Sequence, residues 1–344
     1  MARKPALAFS QGSMRRILLL LCVVLFLGTG GLMATGWWLF TTPLAPPQAV
    51  TLLITPGSSL NRVAQNLEHE GIIRHALLLR VPAKWHKQEQ HIQAGQYTFV
   101  ASATPTEVLE RLVSGDVDKV TLTIPEGFTQ RQIIERIAEA EFGDAATLWQ
   151  LVKDQDFINS LGIEAVHLEG YLFPETYSFV PGVSERALLR MMVEQFHLRM
   201  TTELREAAEE LGLSLHQHVS LASLIEKETG LVEEMPLVSS VFHNRLKVNM
   251  RLQTDPTAVY DLEDFSGTVT RAHLANPSPY NTYIIHGLPP GPIASPGLAA
   301  LTAAVFPATT DYYYFVSKRD GSHHFSRTLR EHNNAIQKYL RNRR

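Results

Sequence analysis

Residues 17–40 form an unbroken apolar run of 24 positions without a charged side chain. Rising about 1.5 Å per residue, such a helix reaches about 36 Å, enough to cross a bilayer core of about 30 Å with some tilt. Beyond it the pattern breaks into short alternations and helical stripes. Residues 41–48 carry Pro43, Pro46 and Pro47, a stiff spacer. Val50 to Ile54 reads as a strand, Pro56-Gly57 as a turn, and Ser58 or Ser59 can cap a helix with Leu60, Val63, Ala64 and Leu67 on one stripe. Residues 94–99 read as a second strand, after which Thr104-Pro105-Thr106-Glu107 opens a helix through Val108, Leu109 and Leu112 that stops at Gly115. A related pattern follows: a strand from Val120 to Ile124, a turn at Pro125-Glu126-Gly127, and a Thr129-capped helix carrying Ile133, Ile134 and Ile137. Residues 50–140 thus contain two strand–turn–helix units, expected to pack together as a small α+β module. Residues 141–344 are richer in helix. They carry two proline-rich loops and close with a strand at 312–317, a turn at Asp320-Gly321, a return strand at 323–326 and a polar helix over 330–343. The expected division is 1–16, 17–40, 41–49, 50–140 and 141–344, with an α+β fold class overall.

Charge sets the direction of the apolar run. Arg3, Lys4, Arg15 and Arg16 precede it and no acid does, so the positive-inside rule holds the N-terminus in the cytoplasm and sends the remaining chain across the membrane. Trp37 and Trp38 close the run where indole rings favour the outer interface. The competing reading is a cleavable signal peptide, with Ala34-Thr35-Gly36 as a weak small-x-small site; the length of the core favours an anchor. The single cysteine, Cys22, lies inside the run, which excludes a disulfide framework and thiol chemistry beyond it. Removing the four leading cations from the formal net charge of −3 leaves about −7 for the exported body, which argues against a nucleic-acid ligand.

The segment from Val219 to Gly230 carries the chemistry. At about 100° per residue, Leu221, Leu224, Ile225 and Glu228 share one stripe, while Glu226 points elsewhere and reads as solvent-facing. With Gly230 as the C′ residue, Glu228 lies in the last turn, where the negative end of the helix dipole disfavours a carboxylate. Burial and dipole both raise its pKa, which suits a general acid. An ordinary charge at the solvent edge of the stripe is the alternative. Asp255 precedes Pro256 and reads first as a helix cap followed by proline at the first helical position. Neither His216 with His218 nor His323, His324 and His332 carries a carboxylate or further histidine at metal-ligand spacing, so no metal or cofactor is expected.

Glu228-Thr229 after a Leu-Ala-Ser-Leu-Ile stretch resembles the glutamate–serine motif of lysozyme-like lytic transglycosylases. The string Ala222 to Thr229, then Val241-Phe242-His243-Asn244-Arg245-Leu246, then Met250 to Thr257, resembles the endolytic transglycosylase family called MltG or YceG-like. So do Tyr280-Asn281-Thr282-Tyr283, Gly287 to Ile293 and Ser295-Pro296-Gly297. The resemblance implies a transmembrane helix, a LysM-like module and a mixed α/β catalytic domain with a lysozyme-like catalytic helix. It implies non-hydrolytic cleavage between N-acetylmuramic acid and N-acetylglucosamine within nascent peptidoglycan strands, leaving 1,6-anhydro ends. Glu228 would serve as acid and then base. Gln253, Thr254 and Asp255 would face the sugars, Tyr280 and Tyr283 would stack on them, Asn281 would hydrogen-bond an acetamido group, and Glu175 in the aromatic loop 169–177 would line the site. The implied location is the inner membrane, with the catalytic domain in the periplasm, peptidoglycan as partner and glycan synthases as neighbours. The alternatives are a glycoside hydrolase pairing Glu228 with Asp255 or Glu175, and a non-catalytic wall-binding scaffold.

Overall fold

The computed structural model describes residues 11–341 except 47, 56, 263, 264 and 266, with side chains described from residue 18 onward. Arg3, Lys4, Pro47, Pro56, Arg343 and Arg344 therefore lie outside the described residues, as do the side chains of Arg15 and Arg16. The chain divides into two compact units, 1–120 and 121–344.

The first unit opens with α1 (Gln11–Thr41), whose stretch Leu18–Thr41 has mean hydropathy 2.3 and no buried residue. Then come β1 (Val50–Ile54), α2 (Leu60–His69), α3 (Leu77–Trp85), β2 (Gly95–Phe99) and α4 (Pro105–Ser114). β1 and β2 pair antiparallel, with Val50 opposite Phe99 and Ile54 opposite Gly95. The expected caps set the helix starts. Ser59 accepts from the Arg62 N–H, and Thr104 forms a reciprocal capping box with Glu107. Gly115 stops α4 in the left-handed region, at φ 69°. Leu52, Ile54, Val63, Leu67, Leu79, Tyr97, Leu109 and Leu112 form the core. α3, absent from the sequence reading, carries an internal Pro82 and buries Leu78, Leu79 and Ala83. At the end of α1, the Arg74 guanidinium lies over the Trp38 ring at 5.0 Å and donates to the Thr42 carbonyl at 2.7 Å.

The second unit holds β3 (Val120–Thr123), α5 (Gln130–Glu139), α6 (Ala145–Leu151), α7 (Gln155–Ser160), β4 (Thr176–Phe179), α8 (Glu185–Arg199) and α9 (Thr202–Glu210). It continues with α10 (Leu215–Glu228), α11 (Met235–Lys247), α12 (Asp255–Val259), α13 (Arg271–Leu274), α14 (Leu298–Val305), β5 (Tyr314–Ser317), β6 (His323–Ser326) and α15 (Leu329–Ile336). The two strand–turn–helix units do not form one module. β3 pairs with β4, and the Ile124 N–H donates to the Glu175 carbonyl at 3.0 Å, so residues 121–140 belong with the helical unit. The terminal hairpin forms as expected, with Tyr314 opposite Ser326 and Ser317 opposite His323. α10 packs against α9, α11, α12 and α14, and every residue from His218 to Ile225 is buried.

Candidate active site

α10 delivers Glu228 as its last residue. Ser214 starts the helix in a capping box with Gln217, and Thr229 ends it in extended conformation (φ −145°, ψ 135°). Gly230 is therefore not needed as a left-handed stop. The Glu228 residue keeps partial access to solvent while its carboxyl group is crowded by protein, with no hydrogen bond to it among the described residues. Burial pushes its pKa up to about 8. The Asp255 carboxylate adds to the rise and the Arg245 guanidinium opposes it.

Asp255 corrects the capping expectation. Thr254 is the N-cap of α12, no side-chain capping bond forms, and Asp255 is the first helical residue with an exposed side chain. Its Oδ1 accepts from the Tyr283 hydroxyl at 2.5 Å. The pKa of Tyr283 is raised by its own burial and then by that bond. Arg245 is fixed by carbonyls, its Nε donating to Tyr313 at 2.7 Å and its Nη1 to Leu252 at 2.5 Å. It therefore influences Glu228 as a held charge and not as an ion-pair partner.

The other expected residues separate into two groups. Gln253 is exposed, with φ 51°, a left-handed conformation uncommon for a residue other than glycine, and its N–H donates to the Thr282 carbonyl at 3.2 Å. Tyr280 packs on Tyr260 with ring centroids 4.7 Å apart. Thr254 and Asn281, in contrast, are buried. The Asn281 amide donates to the carbonyls of Asn276 at 2.8 Å and Leu274 at 3.2 Å, and its Oδ1 accepts from the Tyr283 N–H. With both ends of the amide engaged, Asn281 organises the loop that presents Tyr283. Glu175, just before β4, forms a salt bridge at 2.9 Å with Arg199, the last residue of α8.

Glu169, in the same aromatic loop as Glu175, is the residue that the sequence reading passed over. It is buried, and its carboxyl accepts from the Gln130 N–H at 2.8 Å and from the Tyr260 hydroxyl at 2.9 Å. Burial pushes its pKa up to about 7, against the lowering effect of these bonds. Gly170 follows with φ +83°, where a Cβ would collide with Pro292 and Val219. That Glu-Gly pair was the available signal. Glu226, expected to face solvent, is half-buried and accepts from the Gly297 N–H at 2.9 Å. The proline-rich loop is pinned to α10: His216 Nε2 donates to the Pro290 carbonyl at 2.8 Å, and the Ile293 N–H donates to Ser223 Oγ at 3.1 Å.

A cavity of about 380 Å³ opens beside these groups, lined by Asp255, Pro256, Val259 and Tyr260 from the α12 region, by Thr129, Arg131 and Gln132 from α5, and by Lys227. Asp255 and Lys227 line this cavity, whereas Glu228, next in the chain after Lys227, does not. A neutral acid beside a charged carboxylate can protonate an oxygen leaving group and afterwards accept a proton. Among the described residues, no group of three or more His, Cys, Asp or Glu side chains is placed to hold a metal ion.

The family model described as the YceG-like family matches residues 52–338. A protein of Bacillus subtilis named endolytic murein transglycosylase is 34% identical over 85% of this chain and 85% of its own length. A protein of the same name from Streptococcus pneumoniae (strain D39 / NCTC 7466) is 28% identical, and the match spans 85% of this chain and 58% of that one. The crystal structure of a yceG-like protein from Listeria monocytogenes superposes with a TM-score of 0.58 at 32% identity, covering 83% of this chain and 98% of the other.

Proposed function

This chain belongs to the YceG-like family, and from that membership we propose that it is a membrane-anchored endolytic peptidoglycan lytic transglycosylase with Glu228 as its catalytic group. What carries the reading is the Glu228 carboxyl group, crowded by protein, without a hydrogen bond among the described residues, and raised by burial and by the Asp255 carboxylate to a pKa of about 8. Glu228 protonates the glycosidic oxygen between N-acetylmuramic acid and N-acetylglucosamine, and the C1–O bond breaks. The carboxylate so formed takes the proton from the muramoyl C6 hydroxyl, whose oxygen closes onto C1 as the 1,6-anhydro ring. The nucleophile belongs to the substrate, so proximity replaces a positioned water. Asp255, oriented by Tyr283, supplies negative charge opposite the positive charge that develops at C1. Tyr280 and Tyr260 offer ring faces to sugars, and Gln253 offers an exposed amide.

At the scale of the chain, α1 is the single-pass anchor, with residues 1–16 cytoplasmic and the rest periplasmic, near the synthases that make glycan. The strand–helix–helix–strand order of β1, α2, α3 and β2 supports a LysM-like reading of the first unit, and the buried helix ending in Glu228 supports a lysozyme-like reading of α10. A hydrolytic mechanism draws on the same Glu228–Asp255 pair, with Asp255 activating water or attacking C1. Digestion of purified glycan by the full-length protein in detergent decides between them: mass spectrometry must show ends lighter by one water than hydrolytic ends, and Glu228→Gln must abolish them. Anhydro products from that variant at the wild-type rate would refute the assignment.

A further inference from the structure

Helix α3 has two faces of opposite character. Leu78, Leu79 and Ala83 are sealed in the core, whereas Leu77, Val81 and Trp85, spaced four residues apart and so on one stripe, are 50%, 53% and 83% exposed. Three large apolar side chains in line on one short helix form a patch, which is different from scattered surface residues. Lys84 and Lys87 are exposed beside it. Between residues 74 and 91 the chain carries Arg74, Arg80, Lys84 and Lys87 against the single carboxylate Glu89, within a protein whose overall charge is −3. The salt bridges found among the described residues involve none of these four cations.

Position supplies the second observation. Arg74, three residues before α3, is the residue stacked on Trp38 and bonded to the Thr42 carbonyl. The start of α3 is therefore tied to the outer end of the membrane-length helix, beside the tryptophan pair that marks an interface.

We propose that the Leu77–Val81–Trp85 face of α3 is a membrane-contact surface that rests on anionic lipid of the same bilayer that α1 crosses. An apolar stripe ending in tryptophan and flanked by lysines is the composition of helices that lie in the interfacial plane. The lysines meet lipid headgroups while the apolar side chains enter the acyl boundary. Because α1 already tethers the unit, docking is intramolecular, and a surface too small to recruit a free protein suffices here. The contact holds the first unit flat on the bilayer. The inference rests on the anchor reading of α1.

Full-length protein carrying Cys22→Ala, with either Leu25→Cys or Val81→Cys labelled by an environment-sensitive dye, is reconstituted in vesicles of phosphatidylcholine and phosphatidylglycerol. Both labels shift to the blue and lose most of their emission to a nitroxide quencher carried on the lipid chains. Replacing the phosphatidylglycerol by phosphatidylcholine, or introducing Lys84→Glu with Lys87→Glu, restores emission at position 81 and leaves position 25 quenched. A water-like, unquenched label at 81 beside a quenched label at 25 overturns the contact surface while the anchor stands. An unquenched label at 25 overturns the anchor itself. Quenching at 81 that ignores lipid charge overturns the assignment to anionic lipid.

Discussion

Glu228 owes its neutral form to its surroundings and not to a partner. Its carboxyl group is crowded, accepts no hydrogen bond from the described residues and feels the Asp255 charge. Glu228→Gln removes the proton while keeping the shape, and turnover is expected to fall by about 100-fold or more. The same raised pKa fixes the sign of a stability effect. The unfolded chain ionises Glu228 near its ordinary value of 4.5, whereas the folded chain resists to about pH 8. Stability associated with the neutral group is thus complete below the ordinary value and is lost as pH rises through that window. Denaturant titrations should show wild type losing stability relative to Glu228→Gln between those limits. In turnover assays, the alkaline loss of activity should begin near pH 8, and Asp255→Asn should move it to lower pH by removing the charge that raises Glu228. The sequence singled out Glu228 on partial grounds. α10 is buried around its circumference, so the apolar stripe could not separate Glu228 from the half-buried Glu226. What separates them is Asp255, brought in from α12 by folding.

At the scale of elements, the walls of the cavity are joined by one buried carboxyl group. Glu169 ties the Gln130 N–H at the start of α5 to the Tyr260 hydroxyl just beyond α12, so it spans both linings. Glu169→Gln retains an acceptor for Gln130 but loses the second carboxylate oxygen that accepts from Tyr260. The expected result is a several-fold rise in KM for glycan with kcat less affected, matched by Tyr260→Phe, and with no further loss in the double variant. Gly170→Ala forces a Cβ against Pro292 and Val219 at φ +83°, and a stability loss of roughly 2 kcal/mol or more should appear as a lower Tm. The elements themselves were largely legible. The strands at 50–54 and 95–99, the caps Ser59, Thr104 and Thr129, and the terminal hairpin follow from local chemistry alone. The partner of β3 was not legible, because β3 and β4 are more than 50 residues apart and no local signal specifies which strands meet. The partners of Asn281 were not legible for a similar reason: an amide in a proline-rich loop looks available until the loop's own carbonyls claim it.

At the scale of the whole molecule the chain falls into two compact units, and the core described for the first draws every residue from before position 120. Unfolding of the full-length protein in detergent should therefore show two transitions. Leu112→Ala, in the first core, should lower only one of them, by about 2–5 kcal/mol, while turnover below that transition persists. A single shared transition would show that the units do not unfold separately. The long N-terminal apolar helix and the overall order were legible from hydropathy, but the boundary at Val120 was not, since β3 resembles β1 in pattern and differs only in its distant partner. The packing of α10 also has a temporal consequence. His218 on that helix donates to the Leu301 carbonyl at 2.7 Å, and Glu226 receives the Gly297 N–H. A chain emerging amino end first can finish its first core early, yet the acid at 228 has no proper setting until residues past 300 have arrived. A product that stops short of residue 297 is thus expected to be inert, and the wall is spared a half-made blade.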